Sequence, residues 1–364
     1  MNEAAVAALR LQASGVVPRK QLELVRALGG ADAVLAASPD GWRKCCSTLT
    51  PGDVAALAAT PHIDVGDTWT KLAGLGADVI AFGAIGYPPL LAQIEDPPVL
   101  LHVKGEFTRA DELAVAIVGT RECTPYGESV AEKLAGNLAR RGFTVVSGLA
   151  VGIDAAAHRG ALDAGGRSIG VMACGLDVDY PKSNRDLRER MTASGVLLTE
   201  MPLGSTPRRE VFPQRNRIVS GLSLGTIVVE APTKSGALIT ANLALDQGRE
   251  VFAVPGDIGS PTSRGCHALI KDGARLVESA DDVVEGLGML LHELPERKPT
   301  QQVQADLSPD EQALVTELSA GPRQLDQICA ATGLPPARVS AALMLLEVKQ
   351  VIKRLTGGAY TRVA

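Results

Sequence analysis

Aromatic residues are scarce: five Phe, four Tyr and two Trp make up 3% of the chain. That excludes a nucleic-acid surface built from many stacking rings, so any stacking must rest on one or two of them. No apolar run approaches the roughly 20 residues a membrane span needs, and Met1-Asn2-Glu3 opens no basic segment followed by an apolar one. A cytoplasmic location without membrane contact is the expectation. The six cysteines, at 45, 46, 123, 174, 266 and 329, form no C-x-x-C pair, and the five histidines are scattered, so no metal-ligand spacing exists. Reduced, packed thiols follow, with no metal or cofactor. A net charge of -5 excludes bulk electrostatic adsorption of the whole surface. What the chain does have is length and core: 364 residues, 46% hydrophobic and 21% charged, are enough for two or three domains.

Residues 1–75 read as a small helical domain of the sterile-alpha-motif or helix-hairpin-helix kind. Val6 to Leu11, Arg19 to Leu28, Ala31 to Ala37 and Pro51 to Ala59 carry apolar residues at three- and four-residue spacing, punctuated by Gly29-Gly30 and Pro39-Asp40-Gly41. Its charges are mixed and no basic face stands out, which suits packing or protein contact. Between Val79 and Glu106, paired prolines and a short apolar strand read as a lead-in to the next domain. His102 is given no chemistry.

Residues 76–290 change to apolar strands alternating with helices, the pattern of an α/β fold: a Rossmann-like, mostly parallel sheet with helices on both faces. The expected strands are Leu113 to Val118, Thr144 to Val146, Ser168 to Ala173, Val196 to Thr199, Thr226 to Val229, Val251 to Val254 and Arg275 to Val277. Residues 291–305 are polar and proline-bearing, a linker. Residues 306–364 read as a winged helix. Ser308-Pro309-Asp310-Glu311 caps its first helix, Gln324 to Thr332 and Pro335 to Glu347 are the next two, and Gly357-Gly358 turns a hairpin. Six basic residues there balance six acidic ones, and the third helix sets only Arg338 and Lys349 against Glu347, which supports a protein-contact or dimer role at least as well as reading of duplex DNA.

The strands end at Gly119-Thr120-Arg121, Ser147-Gly148-Leu149-Ala150, Cys174-Gly175, Glu200, Glu230 to Gly236 and Pro255-Gly256. In an open parallel sheet these ends share one rim, where ligands bind at the switch in strand order. Glycines, free N–H groups at helix starts, Arg121 and Lys234 suit phosphate there. Neither G-x-x-x-x-G-K-[ST] nor G-x-G-x-x-G follows the first strand, which disfavours ATP hydrolysis and ordinary dinucleotide binding.

Phe212-Pro213-Gln214-Arg215-Asn216-Arg217 concentrates charge, donors and one ring, and with Arg208 and Arg209 against Glu210 the stretch Arg208 to Arg217 carries +3. Arg215 and Arg217 point to DNA phosphate, with pairing to Glu200 and Glu230 as the other reading. Asn216 serves equally as a loop tie, and Phe212 as a base platform or a core residue. Asp154 and His158, at i and i+4, are spaced for a mutual hydrogen bond, most simply a structural one.

With these motifs in view, the chain resembles the DprA/Smf family of DNA-processing proteins from about Tyr87 to Ala280. The resemblance is carried by Gly119-Thr120-Arg121 with Tyr126-Gly127, Ser147-Gly148-Leu149-Ala150 with Gly152-Ile153-Asp154 and His158, Cys174-Gly175-Leu176-Asp177 with Tyr180-Pro181 and Asn184, Glu200, Phe212 to Arg217, and Ser235-Gly236 with Thr240. Cys266-His267 stands where the family usually shows Thr-Asn. The resemblance implies a non-catalytic protein that binds single-stranded DNA without sequence preference, dimerises through the Rossmann-like domain and hands the strand to the recombinase RecA in natural transformation. Duplex DNA and single-stranded-DNA-binding protein are further candidate partners. The groove it implies uses Arg121, Ser147, Gly148, Phe212, Gln214, Arg215, Asn216, Arg217, Lys234, Ser235 and Gly236.

One rival comes from another class. Thr226 to Glu230 followed by Ser235-Gly236 and Thr240 also suits a nucleotide phosphoribohydrolase of the lysine-decarboxylase-like fold, with Glu200 or Glu230 catalytic. A structural adaptor is the third reading. The arginine-rich segment exceeds what a single phosphate needs, and the P-G-G-x-G-T loop of those enzymes is replaced by Ser220 to Thr226.

Overall fold

A computed structural model describes residues 3–288, 308–318, 323–348, 352–354 and 359–362. The expected linker at 291–305, Lys349 and the Gly357-Gly358 turn lie outside the described residues. The chain divides into two compact units, Met1–Leu291 and His292–Ala364.

The first unit opens with six helices: α1 (Glu3–Ala13), α2 (Pro18–Leu28), α3 (Ala31–Ala36), α4 (Pro39–Cys45), α5 (Pro51–Ala59) and α6 (Gly66–Gly74). Pro39-Asp40-Gly41, expected as punctuation, instead begins α4. Ser38 Oγ accepts from Gly41 N at 3.3 Å, and Pro39 sits in the first turn, where its missing N–H costs nothing. These helices close over Leu11, Leu24, Leu57, Leu72 and Trp42, and the same core takes in Val79, Ala81 and Leu100.

Those last residues belong to β1 (Ala77–Ala81) and β2 (Leu100–Gly105), an antiparallel pair on either side of the short helix α7 (Pro89–Ala92). The segment expected as a lead-in is therefore part of the sheet, since β2 pairs antiparallel with β6. The remaining strands are β3 (Ala114–Val118), β4 (Thr144–Ser147), β5 (Ser168–Val171), β6 (Val196–Thr199), β7 (Gly225–Val228), β8 (Glu250–Ala253) and β9 (Arg275–Leu276), all parallel to their neighbours within this set. The sheet order is β1-β2-β6-β5-β4-β3-β7-β8-β9. Successive strands step one way from β3 to β6, and the chain then returns to place β7 on the other side of β3. The order reverses between β3 and β7, which puts the crevice there.

Right-handed crossovers stepping in opposite directions put their helices on opposite faces. α8 (Pro125–Arg140), α9 (Ile153–Asp163) and α10 (Arg185–Ser194) cover one face. α11 (Val211–Gly221) and α12 (Gly236–Asp246) cover the other, where Ile218, Val219, Ala237, Ala241 and Ala244 meet Ala114, Ala116, Val146 and Val228. The shorter helices α13 (Arg264–Lys271) and α14 (Ala280–Gly286) complete this unit.

The second unit holds α15 (Pro309–Leu318), α16 (Leu325–Thr332), α17 (Pro336–Val348) and the antiparallel pair β10 (Ile352–Arg354) and β11 (Tyr360–Arg362), a winged helix. Ser308 N donates to Glu311 Oε2 at 2.7 Å and Glu311 N to Ser308 Oγ at 3.3 Å, the reciprocal cap its sequence foretells. Arg338, on the third helix, is held by both carboxylate oxygens of Asp310 at 2.9 and 2.8 Å.

Candidate nucleic-acid interface

The loops after β3, β4 and β7 are laced together at the crevice. Thr120 N donates to the Glu230 carbonyl at 2.7 Å, and Ile153 N to the Thr120 carbonyl at 3.2 Å. Gly152, at φ +81°, is required here: a Cβ would stand 2.5 Å from the Thr120 oxygen and 2.6 Å from that of Arg121. Leu149 takes φ 57° with its side chain buried, an unusual backbone for a branched residue. The Asn184 amide stabilises it by donating to the carbonyls of Leu149 at 3.0 Å and Ala150 at 3.2 Å. Asp154, at the start of α9, accepts from Gly148 N at 3.1 Å and Ala150 N at 3.4 Å.

The arginine-rich segment is helical. Pro213 falls in the first turn of α11, where it breaks no hydrogen bond. Helical periodicity then sorts the side chains, because Val211, Arg215, Ile218 and Val219 share the buried face while Gln214 lies exposed. Arg215 is 5% exposed. Its Nη1 donates to the Val171 carbonyl, its Nε to Asn216 Oδ1 at 3.2 Å, and its guanidinium fills the space that a Cβ on Gly148 would occupy. Burial lowers its pKa to about 10, opposed by the Asp154 carboxylate, so it stays cationic at neutral pH. The same burial raises the pKa of Asp154, against the pull of Arg215.

Arg217 points elsewhere. Its two terminal nitrogens grip Glu200 at 2.9 and 2.7 Å, and its Nε donates to Asp96 at 2.8 Å. Burial lowers the Arg217 pKa and these carboxylates more than restore it, for a net rise.

What lines the crevice is a cleft of about 330 Å³ with Thr120, Arg121, Asn216, Lys234, Ser235 and Gly236 on its walls. The N-terminus of α12 opens into it, with Ser235 Oγ accepting from Ala237 N at 3.2 Å and the Lys234 side chain exposed. Next to it lies a smaller cavity of about 90 Å³, walled by Val151, Met172, Ala173, Tyr180 and Pro181. Arg121, Gly148 and Phe212 border both. The Phe212 ring has the Arg121 guanidinium carbon 4.6 Å from its centroid and Tyr180 tilted at 6.3 Å. A larger chamber lined with charged and polar side chains and a smaller, more apolar one thus meet at a ring carrying a cation.

The structure brings together Arg121, Gly148, Phe212, Arg215, Asn216, Lys234, Ser235 and Gly236. It does not bring Ser147, Gln214 or Arg217 to the cleft wall. Ser147 is fully buried and its hydroxyl donates to the Ile117 carbonyl at 2.6 Å, because the last residue of a central strand faces the sheet core. Arg217 follows the ion-pair reading, with Glu200 as its partner. Arg215 reaches the cleft floor but is anchored through a carbonyl and a burial site, so it shapes the cleft rather than reaching out of it. Asn216 also joins α11 to α12, donating to the Gly236 carbonyl at 3.4 Å.

Residues outside the expected set also shape this rim: Tyr180 and Val151, 36% and 39% exposed, wall the apolar chamber. Arg208 and Arg209 are exposed and precede α11 in the chain. The signal for Tyr180 was its place with Pro181 among the residues that carry the family resemblance. That for Arg208 and Arg209 was the +3 charge of the stretch Arg208 to Arg217.

Glu230 is 3% exposed and accepts from Thr124 N at 2.8 Å, Thr124 Oγ at 2.7 Å and Thr262 Oγ at 3.2 Å. Neither it nor Glu200 is among the residues that line the cleft. Asp154 and His158 do not bond each other: His158 Nδ1 meets Ser168 Oγ at 2.7 Å while Asp154 serves the β4 loop. Burial pushes the Cys174 thiol up to about 11 and Cys266 up to about 12. His267 Nε2 packs 3.1 Å from the Gly256 carbonyl. Among the described residues no three His, Cys, Asp or Glu side chains gather as a metal site, and no helix is long and apolar enough to cross a membrane.

The family model described as DNA recombination-mediator protein A matches residues 78–288, and that of the DprA winged helix domain matches residues 298–358. The Smf protein of Escherichia coli is 40% identical over 280 residues, covering 75% of this chain and 74% of its own. The solved DNA processing protein A of Streptococcus pneumoniae superposes with TM-score 0.68 at 35% identity, over 79% of this chain and 97% of that one. A Helicobacter pylori DNA processing protein A, solved for its single-stranded DNA binding mode, gives TM-score 0.53 at 29% identity, over 60% of this chain and 97% of that one.

Proposed function

The chain belongs to the DNA recombination-mediator protein A family, and from that premise we propose that it binds single-stranded DNA without sequence preference in the cleft between β3 and β7. The observation that carries this reading is the Arg121–Phe212 stack at the junction of the two chambers. A mononucleotide phosphate would need only the N-terminus of α12 and Lys234. A strand also needs a place for bases, which the apolar chamber beside Phe212 supplies, and further cations along its backbone, which Arg121, Arg208 and Arg209 supply. Gly148, Arg215 and Asn216 form the floor, and Ser235 and Gly236 offer backbone N–H groups. Gln214 lies on the outer turn of α11, where a longer strand passes.

In this reading the protein is cytoplasmic and catalyses no reaction. It works as a homodimer through the sheet-bearing unit and loads RecA onto incoming DNA in natural transformation, with duplex DNA and single-stranded-DNA-binding protein as candidate partners. Binding of labelled oligo-dT and of a duplex across a salt series tests the core of it. Salt-sensitive binding of oligo-dT supports the proposal, and equal binding by the combined Arg121→Ala, Phe212→Ala, Lys234→Ala variant defeats the site. RecA filament growth on strands coated with single-stranded-DNA-binding protein tests the loading step, which fails if added protein leaves the growth rate unchanged.

A further inference from the structure

Arg217 is bonded at every nitrogen. Besides Glu200 and Asp96, its Nη1 donates to the Gln214 carbonyl, one turn earlier in α11, at 2.9 Å. Its own carbonyl accepts from Gln247 Nε2 at 3.0 Å. A planar guanidinium held this way pins the first turn of α11 to Glu200, the residue that follows β6.

Glu200 is held in turn from the helical layer. Gln12, at the end of α1, donates through Nε2 to the Glu200 carbonyl at 2.9 Å, and its Oε1 lies 2.9 Å from His102 Nε2 on β2. A carbonyl only accepts, so the Gln12 amide nitrogen must face Glu200 and its oxygen must face His102. That assigns the His102 proton to Nε2 and leaves the Gln12 amide no alternative orientation. His102 is fully buried. One side chain therefore joins α1, β2 and the end of β6, and Glu200 relays the connection to α11.

We infer that Gln12 is a positioning residue for DNA binding: through Glu200 and Arg217 the N-terminal helical layer sets the pitch at which α11 presents Phe212 and Asn216 to the cleft. The inference rests on the single-stranded-DNA reading above. Gln12 itself does not line the cleft, so its influence passes through the turn that Arg217 holds.

The test is Gln12→Met in the full chain, read by oligo-dT affinity across a salt series and by hydrogen exchange of the α11 amides in the free protein. Oligo-dT affinity falls by about fivefold, as expected when one hydrogen bond that positions the site is lost. The slope of affinity against salt stays unchanged, because no phosphate contact is removed. Exchange quickens in α11 but not in β3 or β4. Arg217→Lys, which keeps the charge and loses the fork, gives the same pattern, and the double variant is no worse than the more severe single one. Wild-type affinity together with wild-type α11 exchange in Gln12→Met overturns the inference, as does strict additivity. If Gln12→Met loosens the whole helical layer, Gln12→Asn is read by the same two measurements. Should the wild type fail to bind oligo-dT, the DNA reading fails, while α11 exchange still decides whether Gln12 controls that helix.

Discussion

The guanidinium carbon of Arg121 stands 4.6 Å from the centroid of the Phe212 ring, so an exposed cation covers a ring that borders both chambers of the cleft. A cation in this position is attracted to the ring face and is still free to meet a phosphate when a base approaches. The two side chains should therefore separate in a salt titration. Phe212→Ala is expected to weaken oligo-dT binding by about 1–3 kcal/mol with its salt slope intact. Arg121→Ala should lower the slope by about 0.7. Equal slopes in both variants would take Arg121 off the phosphate path.

Arg215 should behave as a structural cation. Removing it leaves the buried Val171 carbonyl without that donor and takes a nearby positive charge from Asp154, and Arg215→Ala is expected to cost about 1–3 kcal/mol of stability. Gly148→Ala should also destabilise, since its Cβ would fall 2.1 Å from Arg215 Nη1. Urea unfolding measures both. Undiminished stability combined with a lowered salt slope in Arg215→Ala would return it to direct phosphate contact.

Glu230 ties the β7 loop to Thr124, the residue that caps α8, and to Thr262. Glu230→Gln is expected to lose about 1–2 kcal/mol of stability by leaving a threonine donor poorly paired. Wild-type protein incubated with AMP should release no adenine. Turnover abolished by Glu230→Gln would establish the hydrolase reading instead.

His158 is expected to make the fold acid-sensitive. Ser168 Oγ donates to the Val145 carbonyl at 2.8 Å, so it accepts from His158 Nδ1–H, and Nε2 is left buried without a partner. Burial, then the nearby charge of Arg215, pushes this pKa down to about 3. Burial likewise lowers His102, to about 4. Below the ordinary value near 6.5 the unfolded chain takes up these protons and the native one does not, so stability falls as pH drops from about 6.5 toward 4. Each histidine adds at most about 1.4 kcal/mol per pH unit, while Asp154, with its raised pKa, acts in the opposite sense. Denaturation midpoints at pH 7, 6 and 5 check this, and His158→Gln should flatten the dependence. An unchanged profile would mean that His158 is accessible to protons in the native state.

Much of the fold was legible because it is written in local pattern. Val115, Ile117, Val145 and Ile169 lie in short apolar runs bounded by glycine, and such runs alternating with helices leave few architectures open. The hairpin of β1 and β2 was not legible as part of the sheet, because its pairing partner β6 lies nearly a hundred residues on from β2. Pro39 was misread because proline marks a helix start as readily as a turn, and only the Ser38 cap distinguishes the two.

The candidate site divides along the same line. Residue type and position after a strand were enough to place Arg121, Lys234, Ser235 and Gly236 on one rim, since parallel strands must end together, whereas the place of Phe212 between the two chambers came from the fold. Which arginines of the Phe212 to Arg217 segment are free was decided by tertiary structure alone. Helical phase turns Arg215 inward onto Gly148 and Val171, and the end of β6 brings Glu200 to Arg217. Charge is a property of the sequence. Whether a charge is available to a ligand depends on which carboxylates, carbonyls and glycines the fold sets beside it, and those come from distant parts of the chain.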